Sequence, residues 1–296
     1  MKADLHIHSE YSFDALNSVN DIIKQAISIG LDVIAISDHN ETLGSLKAQK
    51  YTDIEVISAI EIDCFFNNEI IHILGYGVDL TNIKYEQIKK HYIEELNRIA
   101  YKRIQIINDY YKCDLDINAI KNITRKNRPM TNVEITQILF QKVKDQRLEI
   151  YKSGAKSDGP LEKFYWDNLS LGKWGYVKMN LPAHHDIIKL IHDSGGIVIC
   201  AHPKATIKNN LTLINQLIKD GVDGFEAYSN YHDENDRKLY IDICKKNDLL
   251  VTMGSDFHGI TKPNIRLGNY GCDLDCTDLV DSLKSKIILK RKGSEM

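Results

Sequence analysis

The stretch KADLHIHSEYSFD, residues 2–14, decides how the rest of the chain is read. Lys2 to Ile7 alternates between apolar and polar residues as a β-strand does. His6 and His8 stand two apart at its end, and side chains two apart on a strand share a face. A strand end offering two imidazoles to one point is a frequent way to begin a metal site.

Working outward, Ser18 and Asp21 form a capping-box-like helix start, Val19, Ile22, Ile23, Ala26 and Ile27 make one apolar face, and Gly30 ends the helix. Three short runs rich in Ile and Val follow, at residues 32–37, 55–62 and 70–74, and read as buried strands. Later in the chain a helix from His184 ends at Gly195 and Gly196, and residues 197–201 form a strand. Residues 211–219 are helical, 224–228 a strand, 234–246 a helix and 249–254 a strand. Such alternation predicts an α/β fold with a parallel sheet or barrel.

Between these halves the pattern changes. Residues 85–112 form one long amphipathic helix, with Ile88, Leu96, Ile99, Ile106 and Ile107 among its apolar positions. A second helix opens at Thr131, with Glu134 completing a capping box. Residues 153–175, rich in Gly, Lys and aromatics, read as loop with a short helix. The expected organisation is therefore a barrel domain of residues 1–81 and 183–296, interrupted by a mainly helical insertion at 82–182 that acts as a lid.

The 296 residues, 43% apolar and 27% charged, suit a globular protein with a sizeable core, and a net charge of −3 argues against broad nucleic-acid binding. Six cysteines without a CxxC pair are expected as reduced thiols. Met1 leads directly into the first motif, and no apolar run reaches the ~18 residues of a membrane span, so a cytoplasmic location is expected.

The strand ends carry the chemistry. His39 follows the strand ending at Ser37, Glu61 closes the next run, and His72 lies within the one after it. His202 follows the strand at 197–201, while Asp256 and His258 follow the strand at 249–254. The carboxyl ends of strands are where parallel α/β folds place their sites. Any one histidine has an ordinary explanation in a core or on a surface, but six of the 11 recur at equivalent points of the pattern. The other five, His91, His184, His185, His192 and His232, fall on helices or their ends and read as structural or solvated. Imidazoles and carboxylates together suit Zn, Mn or Fe better than Mg. Ions clustered in such a shell lower the pKa of a bound water and polarise a phosphoryl group, which suits phosphoester hydrolysis. The chain has no GxSxG elbow, no P-loop and no CxxxxxR loop.

DLHIHSEYSFD (4–14), SDHN (37–40), AIEID (59–63), HILGYG (72–77), AHP (201–203) and GSDFH (254–258) together resemble the motif series of the PHP (polymerase and histidinol phosphatase) family. The resemblance spans residues 4–77 and 196–259. It implies a distorted (β/α)7 barrel holding two or three divalent ions on His6, His8, Asp14, His39, Glu61, His72, His202, Asp256 and His258, with Asp256 and His202 also catalytic. One departure concerns Asp14: many relatives place this aspartate five residues after the second histidine, where this chain has Phe13.

The position of the insertion further resembles PHP proteins acting on 3',5'-nucleoside bisphosphates or short RNA. Arg128, in RKNRPMT (125–131), and Lys204 are the expected contacts to substrate. A guanidinium grips phosphate bidentately, and a helix start adds N–H donors. The partner is thus a small phosphorylated molecule, with no membrane and no stable nucleic-acid complex. Histidinol phosphate hydrolysis and a non-catalytic metal-binding module are the competing readings.

Overall fold

The computed structural model describes all residues except Asn68, Lys126, Asn127, Glu295 and Met296. In chain order the elements begin β1 (Ala3–Ile7), α1 (Val19–Ser28), β2 (Val33–Ile36), α2 (Leu43–Ala48), β3 (Glu55–Val56), β4 (Ala59–Phe66), β5 (Glu69–Tyr76) and α3 (Ile83–Tyr111). Then come α4 (Ile117–Ile123), α5 (Asn132–Lys142), α6 (Gln146–Lys152) and α7 (Pro160–Phe164), which runs into a π-helical turn at Tyr165–Leu169. The chain closes with α8 (His184–Asp193), β6 (Ile197–Cys200), α9 (Pro203–Ile207), α10 (Leu211–Asp220), β7 (Gly224–Tyr228), α11 (Glu234–Asn247), β8 (Leu250–Met253) and α12 (Thr277–Ser294).

The strands form two sheets. β1, β2 and β3 are parallel, and the second sheet runs in the order β4-β5-β6-β7-β8. Two isolated bridges link the sheets, Ile7 to Phe257 at the end of β1 and His39 to Glu61 just beyond β2. β1, β2 and β4 to β8 therefore follow one another around a seven-stranded ring, the arrangement of a distorted (β/α)7 barrel, with the ladder interrupted at the two bridges.

β1, β2 and β6 are buried along their whole length, which is why they read as apolar runs. Ala3, Leu5, Val33, Ala35, Ala59, Leu74, Tyr76, Ile197, Ile199 and Met253 share one apolar cluster drawn from both sheets. α12 packs into it through Val280, Leu283 and Ile287. α1 covers β1 and β2, with Val19, Ile22, Ile23 and Ala26 against Ile7, Ile34 and Ile36.

Two expectations need correcting. The sheet is not parallel throughout: β5 runs antiparallel to both β4 and β6, because Phe66 pairs with Glu69 across a tight hairpin that reverses the chain. Residues 55–62 are not one strand, since β3 pairs with β2 while β4 starts at Ala59 and pairs with β5. The segment 153–175 is loop with a short helix, as expected: α7 runs there into the π-helical turn.

The chain divides into two compact units, Met1–Lys89 with Leu181–Met296, and Lys90–Asn180. The second unit has its own core, including Ile104, Ile107, Ile135, Leu139, Leu148 and Phe164. Thr131 and Glu134 cap α5 reciprocally, as the sequence predicts. All six cysteines are free thiols. Among the described residues, no helix is long and apolar enough to cross a membrane.

Candidate metal centre

The two bridges that join the sheets also build the site. His39 pairs with Glu61 in one bridge, and the other brings Phe257, between Asp256 and His258, against the end of β1 that carries His6 and His8. Backbone bonds from His8 N to Phe257 O (2.8 Å), Asp256 N to His6 O (2.9 Å) and Asn40 N to Glu61 O (2.7 Å) fix these strand ends. His202 and Asp256 both have positive φ, 25° and 57°. Such a backbone is costly for a residue with a Cβ and is retained where surrounding contacts demand it.

Glu61 is the hub. Oε1 lies 3.3 Å from His6 Nε2, 3.2 Å from His72 Nδ1 and 3.3 Å from His202 Nε2, and Oε2 lies 3.2 Å from both His8 Nε2 and His39 Nδ1. Asp256 Oδ1 faces His8 Nε2 at 3.1 Å and His6 Nε2 at 3.4 Å. Asp14 Oδ2 is 3.2 Å from His258 Nε2 and 3.8 Å from His39 Nε2, so its shifted register does not carry it away from the cluster. Three overlapping groups have geometry that could hold an ion: His8, Asp14, His39 and His258; His6, His8, Glu61 and Asp256; and His39, Glu61 and His72.

The surroundings aim the rings. His6 Nδ1 is held by Glu226 Oε1 at 2.9 Å, and His258 Nδ1 by the carbonyl of Asp256 at 2.8 Å. Ser12 Oγ donates to Asp38 and accepts from His39 N, so His8 Nδ1, 2.9 Å away, must donate to it. In each case Nε2 is the atom left to face the acids, as a metal-ligating imidazole requires.

Burial and charge oppose one another throughout. Burial alone would raise Glu61, but His6, His39 and His72 outweigh it and hold the carboxyl well below its usual range. Burial works against a charged His39, yet Glu61, Asp63 and Asp14 push it up to about 10. His8 is pushed down to about 4 by burial and by His258 and His39.

Glu61 Oε1 and Oε2, Asp14 Oδ1, Asp63 Oδ1, His72 Nδ1, His202 Nδ1 and His258 Nε2 are buried without a hydrogen bond. Buried polar atoms normally find partners. So many orphans in one cluster of hard carboxylate oxygens and borderline imidazole nitrogens fit divalent cations.

Of the expected substrate contacts, Lys204 has its ammonium engaged by both oxygens of Asp236 at 2.7 Å, in the first turn of α11. Arg128 lies in the second unit, half-buried, three residues before the N-cap of α5; its neighbours Lys126 and Asn127 are outside the described residues. The remaining histidines serve locally, as in His184 to Asp220 at 2.6 Å, His192 to Asp223 at 2.8 Å and His232 to the carbonyl of Ala227 at 2.8 Å.

Sequence reasoning missed Asp63 and Glu226. Asp63 Oδ1 lies 3.0 Å from His39 Nδ1, and its place two residues after Glu61 on one strand was a usable signal. Glu226, a lone acid within GFEAY, is fully buried and also accepts from His202 N at 2.8 Å. A charge in an otherwise apolar strand is the cue.

A ring of strands with a buried His, Asp and Glu cluster at its strand ends defines a metal-dependent hydrolase. The chain belongs to the PHP domain family, whose pattern matches residues 4–231. It is 29% identical to a 5'-3' exoribonuclease of Haemophilus influenzae over 87% of this chain and 90% of that one. It is 25% identical to a 3',5'-nucleoside bisphosphate phosphatase of Chromobacterium violaceum, over 86% of each. The fold is shared with the solved structure of an amidohydrolase from Chromobacterium violaceum, at a TM-score of 0.77, 21% identity and 97% coverage of each chain. The chain is thus a PHP-domain metal-dependent phosphoesterase.

Proposed function

We propose that the enzyme hydrolyses phosphoesters of nucleotides, 3',5'-nucleoside bisphosphates or short oligonucleotides. Two or three divalent ions of the Mn, Zn or Fe type would be held by His6, His8, Asp14, His39, Glu61, His72, His202, Asp256 and His258. The observation that carries this reading is Glu61, whose two buried oxygens face five imidazoles at 3.2–3.3 Å without a hydrogen bond. The substrate class is supported by the names of the two sequence relatives, which match over most of their length.

Bound there, divalent ions would supply hydroxide near neutral pH and polarise the phosphoryl oxygens. The protein's part is orientation. Glu226 fixes His6, Ser12 with Asp38 fixes His8, and the Asp256 carbonyl fixes His258. Donor atoms therefore need no reorganisation when the ligand arrives. Asp256 and His202, on positive-φ backbone just after β8 and β6, are the residues we assign to catalysis.

The test is a panel of bisphosphates, mononucleotides, short oligonucleotides and histidinol phosphate, assayed with Mn, Zn and Fe. Turnover of histidinol phosphate alone would overturn the nucleotide reading. Arg128 is proposed as the contact to a second phosphate. Arg128→Ala should then cost about 1.5–3 kcal/mol of binding. That is roughly a ten- to hundredfold loss of kcat/KM on a bisphosphate, with p-nitrophenyl phosphate barely changed. Equal losses on both substrates would contradict that role.

A further inference from the structure

Asp14, Glu61, Asp63, Glu226 and Asp256 crowd carboxylate into the cluster, and a phosphate ester approaching it is itself an anion. Lys204, the nearest lysine in sequence to His202, is already held by Asp236. A different lysine stands at the rim. Lys262, which caps the 3-10 turn Gly259–Thr261 after β8, places Nζ 2.8 Å from Asp256 Oδ2 and 3.3 Å from Tyr231 Oη.

The two oxygens of Asp256 have different surroundings. Oδ1 faces His6, His8 and His258 at 3.1–3.5 Å. Oδ2 accepts from both Lys262 and the Tyr231 hydroxyl, the latter at 2.6 Å. One donor is enough to keep that oxygen turned away from the cluster, so the second is available for another task. Lys262 is the donor able to move, because its ammonium rides on a flexible stem, whereas Tyr231, of similar exposure, is a rigid ring. The Tyr231 ring is also braced edge-on against His202, at 5.2 Å between centroids.

We propose that Lys262 is a substrate-contacting residue that binds the phosphate group undergoing hydrolysis. It rests on Asp256 until a phosphorylated ligand arrives and then turns to a phosphoryl oxygen, while Tyr231 keeps Asp256 in place. A lysine suits the exchange, since its ammonium is a point charge on a flexible stem that can pass from one oxyanion to another. The proposal rests on the reading of Asp256 as a metal ligand.

The experiment uses the full chain loaded with Mn²⁺ and compares wild type, Lys262→Gln, Lys262→Arg and Tyr231→Phe. Metal content, inhibition by inorganic phosphate, and KM and kcat on a nucleotide substrate are measured. Lys262→Gln should keep the wild-type metal content while the inhibition constant for phosphate and KM rise by about tenfold or more. Lys262→Arg should recover part of the phosphate affinity. Tyr231→Phe should instead loosen the metal and leave phosphate inhibition of the loaded fraction unchanged. Unaltered phosphate inhibition in Lys262→Gln, with or without loss of metal, would make Lys262 only a clamp on Asp256 and overturn the proposal. A wild-type chain that holds no Mn²⁺ would overturn the reading of the cluster, and the proposal with it.

Discussion

Glu226 shows how one buried carboxylate governs residues it does not resemble in sequence. It accepts from the His6 ring through one oxygen and from the strained His202 backbone through the other. A glutamine can satisfy only one of these, because its amide nitrogen cannot accept. Glu226→Gln should therefore lower metal affinity or kcat by roughly 10- to 100-fold, the range for outer partners of metal-bound histidines. Metal titration with parallel kinetics would check this, and wild-type values for both would remove Glu226 from the site. The residues that gather in the cluster could be picked out because they stand in recognisable motifs, most of them within or just after a strand. Glu226 and Asp63 carried only the cue of an acid in a buried strand, because their role depends on which strands become neighbours. Lys204 shows the same limit: its position after His202 is local, but its partner Asp236 lies 32 residues away.

At the scale of elements, the ring depends on β8 reaching β1 closely enough for the Ile7–Phe257 bridge. Gly254, at the end of β8, makes that approach possible. A Cβ there would lie 2.1 Å from the His6 Cβ, 2.9 Å from its backbone nitrogen and 2.7 Å from Glu226 Oε1. Gly254→Ala should destabilise the protein by about 1–3 kcal/mol, as overpacking does. Its melting temperature should fall by roughly 2–4 °C for each of these. Because the clash is with His6 itself, activity should fall more than stability does. A melting curve and specific activity equal to wild type would show that the strands can part without cost. Most elements could be read from periodicity, since buried strands are apolar runs and the caps at Ser18 and Thr131 form as their side chains dictate. The reversal at β5 could not, because an apolar run looks the same in either direction.

For the molecule as a whole, the cluster sets acids and imidazoles in a mostly buried site where many of their atoms have no hydrogen-bond partner. A ligand that binds only the folded state stabilises it, by about 4 kcal/mol when present at a thousand times its dissociation constant. Stripping the ions with a chelator should accordingly lower the melting temperature by on the order of 10 °C, and adding them back should restore it. An unchanged melting curve after complete stripping would mean that the cluster is satisfied without metal. The change from strand-helix alternation to long helices is visible in the sequence, and by contacts the chain divides into Met1–Lys89 with Leu181–Met296, and Lys90–Asn180. A helix begun in one unit carries no sequence mark where the contacts change. The most direct measurement is elemental analysis of wild type and Glu61→Gln, each purified without chelator and assayed on a nucleotide substrate. Two to three equivalents of transition metal in the wild type, with the variant losing metal and activity together while its far-ultraviolet circular dichroism is retained, is the predicted result. A Glu61→Gln protein that keeps both full metal and full activity would contradict it.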